Sequence, residues 1–132
     1  GSGPLENNLK ALALELNVHE RVIFLGFKEN PFPYFFAAQC CIVSSRVEGF
    51  PNTLLQMLAL NDKVISSKCS GDMENIPAVT LIDADNEIAL TNAIEHMLYC
   101  RDEEFEEKRT EIDNYLASRN PTHFAEQIIT SI

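Results

Sequence analysis

The stretch Cys40-Cys41-Ile42-Val43-Ser44-Ser45-Arg46-Val47-Glu48-Gly49-Phe50-Pro51-Asn52-Thr53-Leu54-Leu55-Gln56 decides the fold, because the spacing of its apolar residues changes halfway along. Cys40 to Ser45 is a short, continuous apolar run closing on hydroxyls, the pattern of a strand buried on both faces. From Pro51 to Leu60 the apolar residues fall at helical spacing. Pro51 stands near the helix start, where a missing N–H costs least. A buried strand that passes directly into a helix is the first half of a βαβ unit. Lys63-Val64-Ile65-Ser66-Ser67 supplies the second half, another apolar run ending in hydroxyls.

Outward from this unit the alternation continues. Upstream, Leu5 to Asn17 places Leu5, Leu9, Leu12, Ala13 and Leu16 on one helical stripe, expected to be buried. Arg21-Val22-Ile23-Phe24-Leu25-Gly26 reads as a strand buried on both faces. Asn30-Pro31-Phe32-Pro33 opens a short helix that runs through Tyr34 to Ala38. Downstream, Ser70 to Asn75 is a short helix or turn, and Val79 to Ile82 a strand. Helices follow over Glu87 to Cys100, over Glu103 to Ser118, and from Pro121 onward. Strands alternating with helices of this size predict an α/β fold, a Rossmann-like parallel sheet with flanking helices and right-handed crossovers. The 132 residues suit one compact domain. In such a sheet ligands bind beyond the carboxyl ends of the strands, which singles out the residues after Gly26, Ser45, Ser67 and Ile82.

Composition narrows the partners. The formal net charge is −10, which makes the chain a poor candidate for holding nucleic acid by phosphate neutralisation. An anionic ligand has to be held by local geometry, not by the overall field. The acidic run Asp102 to Glu107, interrupted by Phe105, reads as a solvated helix face rather than a metal site. Cys40, Cys41, Cys69 and Cys100 form no C-x-x-C pair and no zinc spacing with His19, His96 or His123. Free thiols in a reducing cytoplasm are expected. No apolar stretch approaches the ~20 residues of a membrane span, and no secretory signal is visible.

The loop between Ser45 and Asn52 carries the chemistry. Free N–H groups at a helix start, together with the positive end of the helix dipole, suit an anion such as a diphosphate. Pro51 has no N–H, so the donors are those of Asn52 and Thr53, with the Thr53 hydroxyl beside them. Gly49 allows the backbone to come close to a ligand. The Glu48 carboxylate can accept hydrogen bonds from hydroxyl groups. Gln56 stands four residues after Asn52 on the same helix face. The alternative is an ordinary strand-to-helix turn with a solvent-exposed Glu48, and the residues alone leave both open.

The run Glu48-Gly49-Phe50-Pro51-Asn52, followed by Leu54-Leu55, resembles the donor-site motif of glycosyltransferase family four. Gly1-Ser2-Gly3-Pro4-Leu5 is similar to that family's G-x-G-P-L turn. Val22 to Gly26 with Asn30-Pro31, and Val64 to Ser67 with Ser70-Gly71, are similar to the strands and loops on either side. Each match alone is weak, but their order and spacing together are specific. The tail from Ile88 onward contributes little. The resemblance implies a partial carboxyl-terminal domain of the two-domain GT-B fold. It also implies a retaining, metal-independent enzyme with no cofactor. Its donor would be a nucleoside-diphosphate sugar, UDP-linked, and its acceptor a glycan or a lipid-linked molecule. On this resemblance Glu48 contacts the transferred sugar and is the catalytic candidate. Gly49, Phe50, Asn52 and Thr53 approach the diphosphate. Gln56 takes the ribose position, and Phe27 and Lys28 match the loop near the base.

Three departures bear on function. Gln56 replaces the family's second Glu of an E-x7-E pair, so ribose binding is altered or the chain is a non-catalytic nucleotide-sugar-binding or scaffold relative. Asn61-Asp62-Lys63 stands where the family shows a Gly-x-Pro turn; Asn tolerates the left-handed backbone such a turn needs. The chain also lacks the strands and basic residues that precede the G-x-G-P-L turn in the family, and the acceptor domain. These absences imply that the chain by itself is inactive, and that an exposed sheet edge is available for self-association. A cytoplasmic protein, with peripheral membrane contact at full length, is expected. A phosphate-receiver domain of the same layout is disfavoured, because Gly26, Ser45 and Ser67 close the strands where an acidic cluster would be needed.

Overall fold

A computed structural model describes residues 1–49, 52–101, 103–119 and 129–130. The chain divides into two compact units, Gly1–Pro31 and Phe32–Ile132. The expected helix from Pro121 lies almost wholly outside the described residues.

The first unit contains helix α1, Glu6–Glu15, and a 3-10 turn over His19–Arg21. Two expectations fail here. Residues 22–28 are irregular backbone, not a strand, and have no ladder partner among the described residues. Of the α1 stripe only Ala13 is buried; Leu5, Leu9, Leu12 and Leu16 are exposed. The two failures share one cause. A strand needs a neighbour to satisfy its N–H and C=O groups, and an apolar helix stripe needs a sheet to cover it. Within the unit the Lys10 ammonium sits 5.4 Å from the centre of the Phe24 ring.

The second unit follows the reading closely. Helix α2 is Phe32–Ala37, strand β1 Cys41–Val43, helix α3 Asn52–Leu60 and strand β2 Val64–Ser67. A 3-10 turn over Met73–Asn75 leads to strand β3, Val79–Ile82, then helix α4, Glu87–Tyr99, and helix α5, Glu103–Ala117. The Asn86 side chain caps α4 by accepting from the Ala89 N–H at 2.9 Å. The three strands are parallel in the order β1-β2-β3. Cys41 aligns with Val64 and Val64 with Val79.

The core is built around β2, which is buried along its whole length. Val64 belongs to one apolar cluster with Leu54, Leu55 and Leu58 of α3 and Ile112 of α5. Ile65 belongs to a second, with Ala93 and Met97 of α4 and Phe105 of α5. Successive strand residues point to opposite faces, so these clusters are the two sides of the sheet. All four cysteines are free thiols. Burial and the neighbouring Cys40 push the Cys41 thiol up to about 11.

Asn61 corrects the expectation of a left-handed turn residue. Its backbone is not among those of positive φ. Its side chain works instead. The amide donates to the Phe35 carbonyl at 2.9 Å and the Ala38 carbonyl at 2.7 Å, and its oxygen accepts from the Lys63 N–H at 2.9 Å. One side chain therefore closes the end of α2 and turns the chain into β2. Arg109 fastens the same corner, donating to the Leu58 carbonyl at 3.0 Å and to Asp62 at 2.9 Å.

Asn61→Ala takes the amide donor from the half-buried carbonyls of Ala38 and Phe35, the latter keeping only the Cys41 thiol at 3.6 Å, so it should lower stability by about 1–3 kcal/mol in urea unfolding. Asn61→Gly, which restores backbone freedom but not the amide, should cost at least as much. A Gly variant as stable as the parent would show that the turn needs only backbone freedom.

Candidate functional site

The carboxyl ends of the three strands lie side by side, and the loops that leave them are tied to one another. β1 ends at Val43 and β2 at Ser67, in register through the Val43–Ser66 pair. Ser67 is buried, and its hydroxyl donates to the Ser45 carbonyl and, at 3.4 Å, to the Val43 carbonyl. That bond completes the hydrogen bonding of β1 where its ladder runs out. The Glu48 N–H donates to the Cys69 carbonyl at 2.8 Å, which pins the β1 loop to the loop after β2. The Ser45 hydroxyl donates to the Glu48 carboxylate at 2.6 Å. Ser45 is thus a tether for Glu48.

Two ion pairs cross this edge. Arg46 in the β1 loop donates to both carboxylate oxygens of Asp85, at 2.9 and 3.0 Å. Lys68 after β2 meets Asp83 after β3 at 3.2 Å. Both pairs are largely exposed, so each contributes little to stability. Asp85 has φ of 58°, a left-handed conformation that Asp tolerates better than most residues. Beside the pairs opens a cavity of about 220 Å³, lined by Ser44, Ser67, Ile82, Asp83, Asn86 and Leu90. Glu48 does not line it.

The site residues singled out from sequence divide into three groups. Glu48 and Gly49 are exposed in the loop after β1, while Asn52, Thr53 and Gln56 occupy the first turns of α3. Asn52 and Thr53 are exposed and Gln56 is half-buried. Phe50 lies outside the described residues. Phe27 and Lys28 are exposed and belong to the first unit. A Cβ built on Gly49 meets nothing within 4 Å, so the fold itself would accept a side chain there. Arg46 and Asp85 were not anticipated. Arg46 was legible as a cation beside Glu48, but its partner comes from a loop after a different strand.

The group 1 glycosyl transferase family model matches residues 1–99, three quarters of the chain. The chain belongs to that family. A glycosyl transferase domain of this group therefore supplies the α/β layout and the Glu48 loop. Similar proteins agree. An uncharacterized glycosyltransferase of Methanocaldococcus jannaschii is 42% identical over 69 residues, covering 52% of this chain and 17% of that protein. The N-acetylgalactosamine-N,N'-diacetylbacillosaminyl-diphospho-undecaprenol 4-alpha-N-acetylgalactosaminyltransferase of Campylobacter jejuni is 33% identical over 105 residues, 74% of this chain and 28% of that protein. A lipopolysaccharide core biosynthesis glycosyltransferase of Rhizobium meliloti is 32% identical over 91 residues, 64% of this chain and 27% of that protein. The chain thus spans less than a third of the length of these relatives. Among the described residues no helix is long and apolar enough to cross a membrane.

Ser67 is the hinge of the loop geometry. Ser67→Ala should cost about 1–3 kcal/mol in urea unfolding, because the Ser45 carbonyl loses its buried donor. Amide exchange at Ser45 to Glu48 should speed up in that variant. Arg46→Ala, which breaks an exposed pair, should leave the unfolding midpoint almost unchanged.

Proposed function

We propose that this chain is the donor-binding part of a retaining glycosyltransferase that moves a sugar from a nucleoside-diphosphate donor to a glycan or lipid-linked acceptor. The observation that carries the reading is the exposed Glu48 carboxylate, held by the Ser45 hydroxyl at the carboxyl edge of a parallel sheet, directly ahead of the amino end of α3. In this reading the amides of Asn52 and Thr53 hold the diphosphate, whose charge grows as it departs. Donors already aimed at that charge stabilise the transition state more than the ground state. Glu48 accepts hydrogen bonds from the sugar hydroxyls and orients the ring as it becomes oxocarbenium-like. Gly49 lets the donor approach the backbone, Phe50 belongs to the segment that approaches the diphosphate, and Gln56 takes a ribose hydroxyl. Phe27 and Lys28 receive the base, taken to be uracil. The acceptor is bound elsewhere, by a domain this chain does not include.

The relative from Campylobacter jejuni carries a diphospho-undecaprenol acceptor in its name. That supports a lipid-linked acceptor, and with it peripheral contact of the whole protein with the cytoplasmic face of a membrane. The outer edge of β1, which pairs only with β2 among the described residues, is where a further strand or a second copy would add. Gln56 favours a second reading, a nucleotide-sugar-binding domain without turnover, because a neutral amide stands where the family has a carboxylate.

Titration of the chain with UMP, UDP and a UDP-sugar, followed by NMR shifts of the amides of Asn52 and Thr53, tests the proposal. UDP should bind at least about tenfold more tightly than UMP, since two phosphates meet the helix end. Glu48→Ala should weaken UDP-sugar binding about tenfold or more and leave UDP binding intact. Gly49→Ala should weaken both ligands without changing stability. A chain that ignores UDP at millimolar concentration would overturn the assignment. Intact binding with no release of UDP by the longer protein would favour the second reading.

A further inference from the structure

The C-terminal end of α4 meets the start of α5 through a short turn, and three ligand-type side chains converge there. His96 lies in the last turn of α4, Cys100 is its C-cap, and Glu104 stands in the first turn of α5. Their nitrogen, sulfur and oxygen atoms all lie within 4.8 Å of one another. His96 and Cys100 are four residues apart, on one face of α4. The Cys100 N–H still closes the helix on the His96 carbonyl at 2.9 Å, so both side chains are held to the same helix end. The Cys100 backbone then leaves in an extended conformation, with ψ of 154°, which carries the chain round to present Glu104.

We propose that His96, Cys100 and Glu104 form a binding site for a zinc-class divalent cation that clips α4 to α5. The donor set selects the metal. A thiolate and an imidazole favour Zn²⁺ and its neighbours over Mg²⁺ or Ca²⁺, which prefer oxygen alone. Bonds of about 2.3 Å to sulfur and 2.0–2.2 Å to nitrogen and oxygen place tetrahedral donors roughly 3.3–3.7 Å apart. The three atoms thus need to close by only about an ångström. His96 and Glu104 are exposed, whereas Cys100 is half-buried and packs against the cluster of Met97 and Phe105. One half-buried ligand and two exposed ones suit an ion entering from solvent. Cys100 would bind as the thiolate, releasing its proton to solvent. The fourth position is left to water.

The location separates this site from the donor loop. Cys40, just ahead of β1, packs on the same cluster as Cys100. Lys63, just ahead of β2, has its ammonium 5.3 Å from the centre of the Phe105 ring. The α4–α5 junction therefore lies at the amino edge of the sheet, opposite Ser45, Glu48 and Ser67. An ion here acts on the packing of α5, which contributes Phe105 to one face of the sheet and Ile112 to the other. Its role is to stabilise the unit, not to take part in sugar transfer.

Cobalt(II) provides the test, because thiolate ligation gives a charge-transfer band in the near ultraviolet. Titration of the reduced chain with Co²⁺ should produce that band at one ion per chain, and Zn²⁺ should displace it. Zn²⁺ should also raise the thermal midpoint in a concentration-dependent way. Cys100→Ser should abolish the band, and His96→Gln and Glu104→Gln should each weaken Zn²⁺ binding at least about tenfold. Cys40→Ser and His19→Gln should leave it unchanged. His96 and Glu104 are exposed, so those two variants report on binding without disturbing the fold. No band at millimolar Co²⁺, or a band that survives Cys100→Ser, would overturn the proposal. So would unchanged affinity in both the His96 and Glu104 variants.

Discussion

Burial of β2 on both faces is the constraint on which the second unit depends. Val64, Ile65, Ser66 and Ser67 are all removed from solvent. Because their side chains alternate between the faces, one strand requires an apolar layer on each side. α3 meets the first requirement with Leu54, Leu55 and Leu58, and α4 meets the second with Ala93 and Met97. α5 contributes to both layers and is secured by Arg109, whose guanidinium reaches Leu58, Asp62 and Asp113. Burying each of the leucine and methionine side chains is worth about 1.5–3 kcal/mol, more than an exposed ion pair such as Arg46–Asp85 contributes.

That burial also explains the chemistry at the strand ends. The central strand closes on two buried serines, Ser66 and Ser67, and a polar group buried at a strand end needs a partner inside the protein. Ser67 meets that need for β1 by donating to carbonyls beyond the ladder. The loop it holds is the one that carries Glu48, and a second bond from the Glu48 N–H to Cys69 fixes its path. The exposed pairs Arg46–Asp85 and Lys68–Asp83 stand over the same edge. Both are largely exposed and contribute little to stability.

Much of the second unit was legible because its signals are local. The change from a strand run to helical spacing between Ser45 and Pro51 marks β1 and α3 without help from the rest of the chain. The same holds for β2, β3, α4 and α5, whose limits fall within a residue or two of those expected. The first unit was misread for the complementary reason. Val22 to Gly26 has the composition of a strand, but a strand exists only when a neighbour accepts its hydrogen bonds. Leu9 and Leu12 have helical spacing, but spacing does not say what covers them. Asn61 shows a subtler gap: its type suggested backbone tolerance, while its role is a side-chain bridge to the carbonyls of Phe35 in α2 and Ala38 just after it.

The sequence by itself determined the parallel α/β class, the family, and the identity of the Glu48 to Gln56 segment as the loop to inspect. All of these rest on residues close together in the chain, where periodicity and motif order suffice. Only the tertiary structure decided that Ser67 holds that loop and that Asp85 answers Arg46. Those pairings join residues whose separation in sequence carries no period. They follow from where packed strands and helices end, and that is set by the whole core at once.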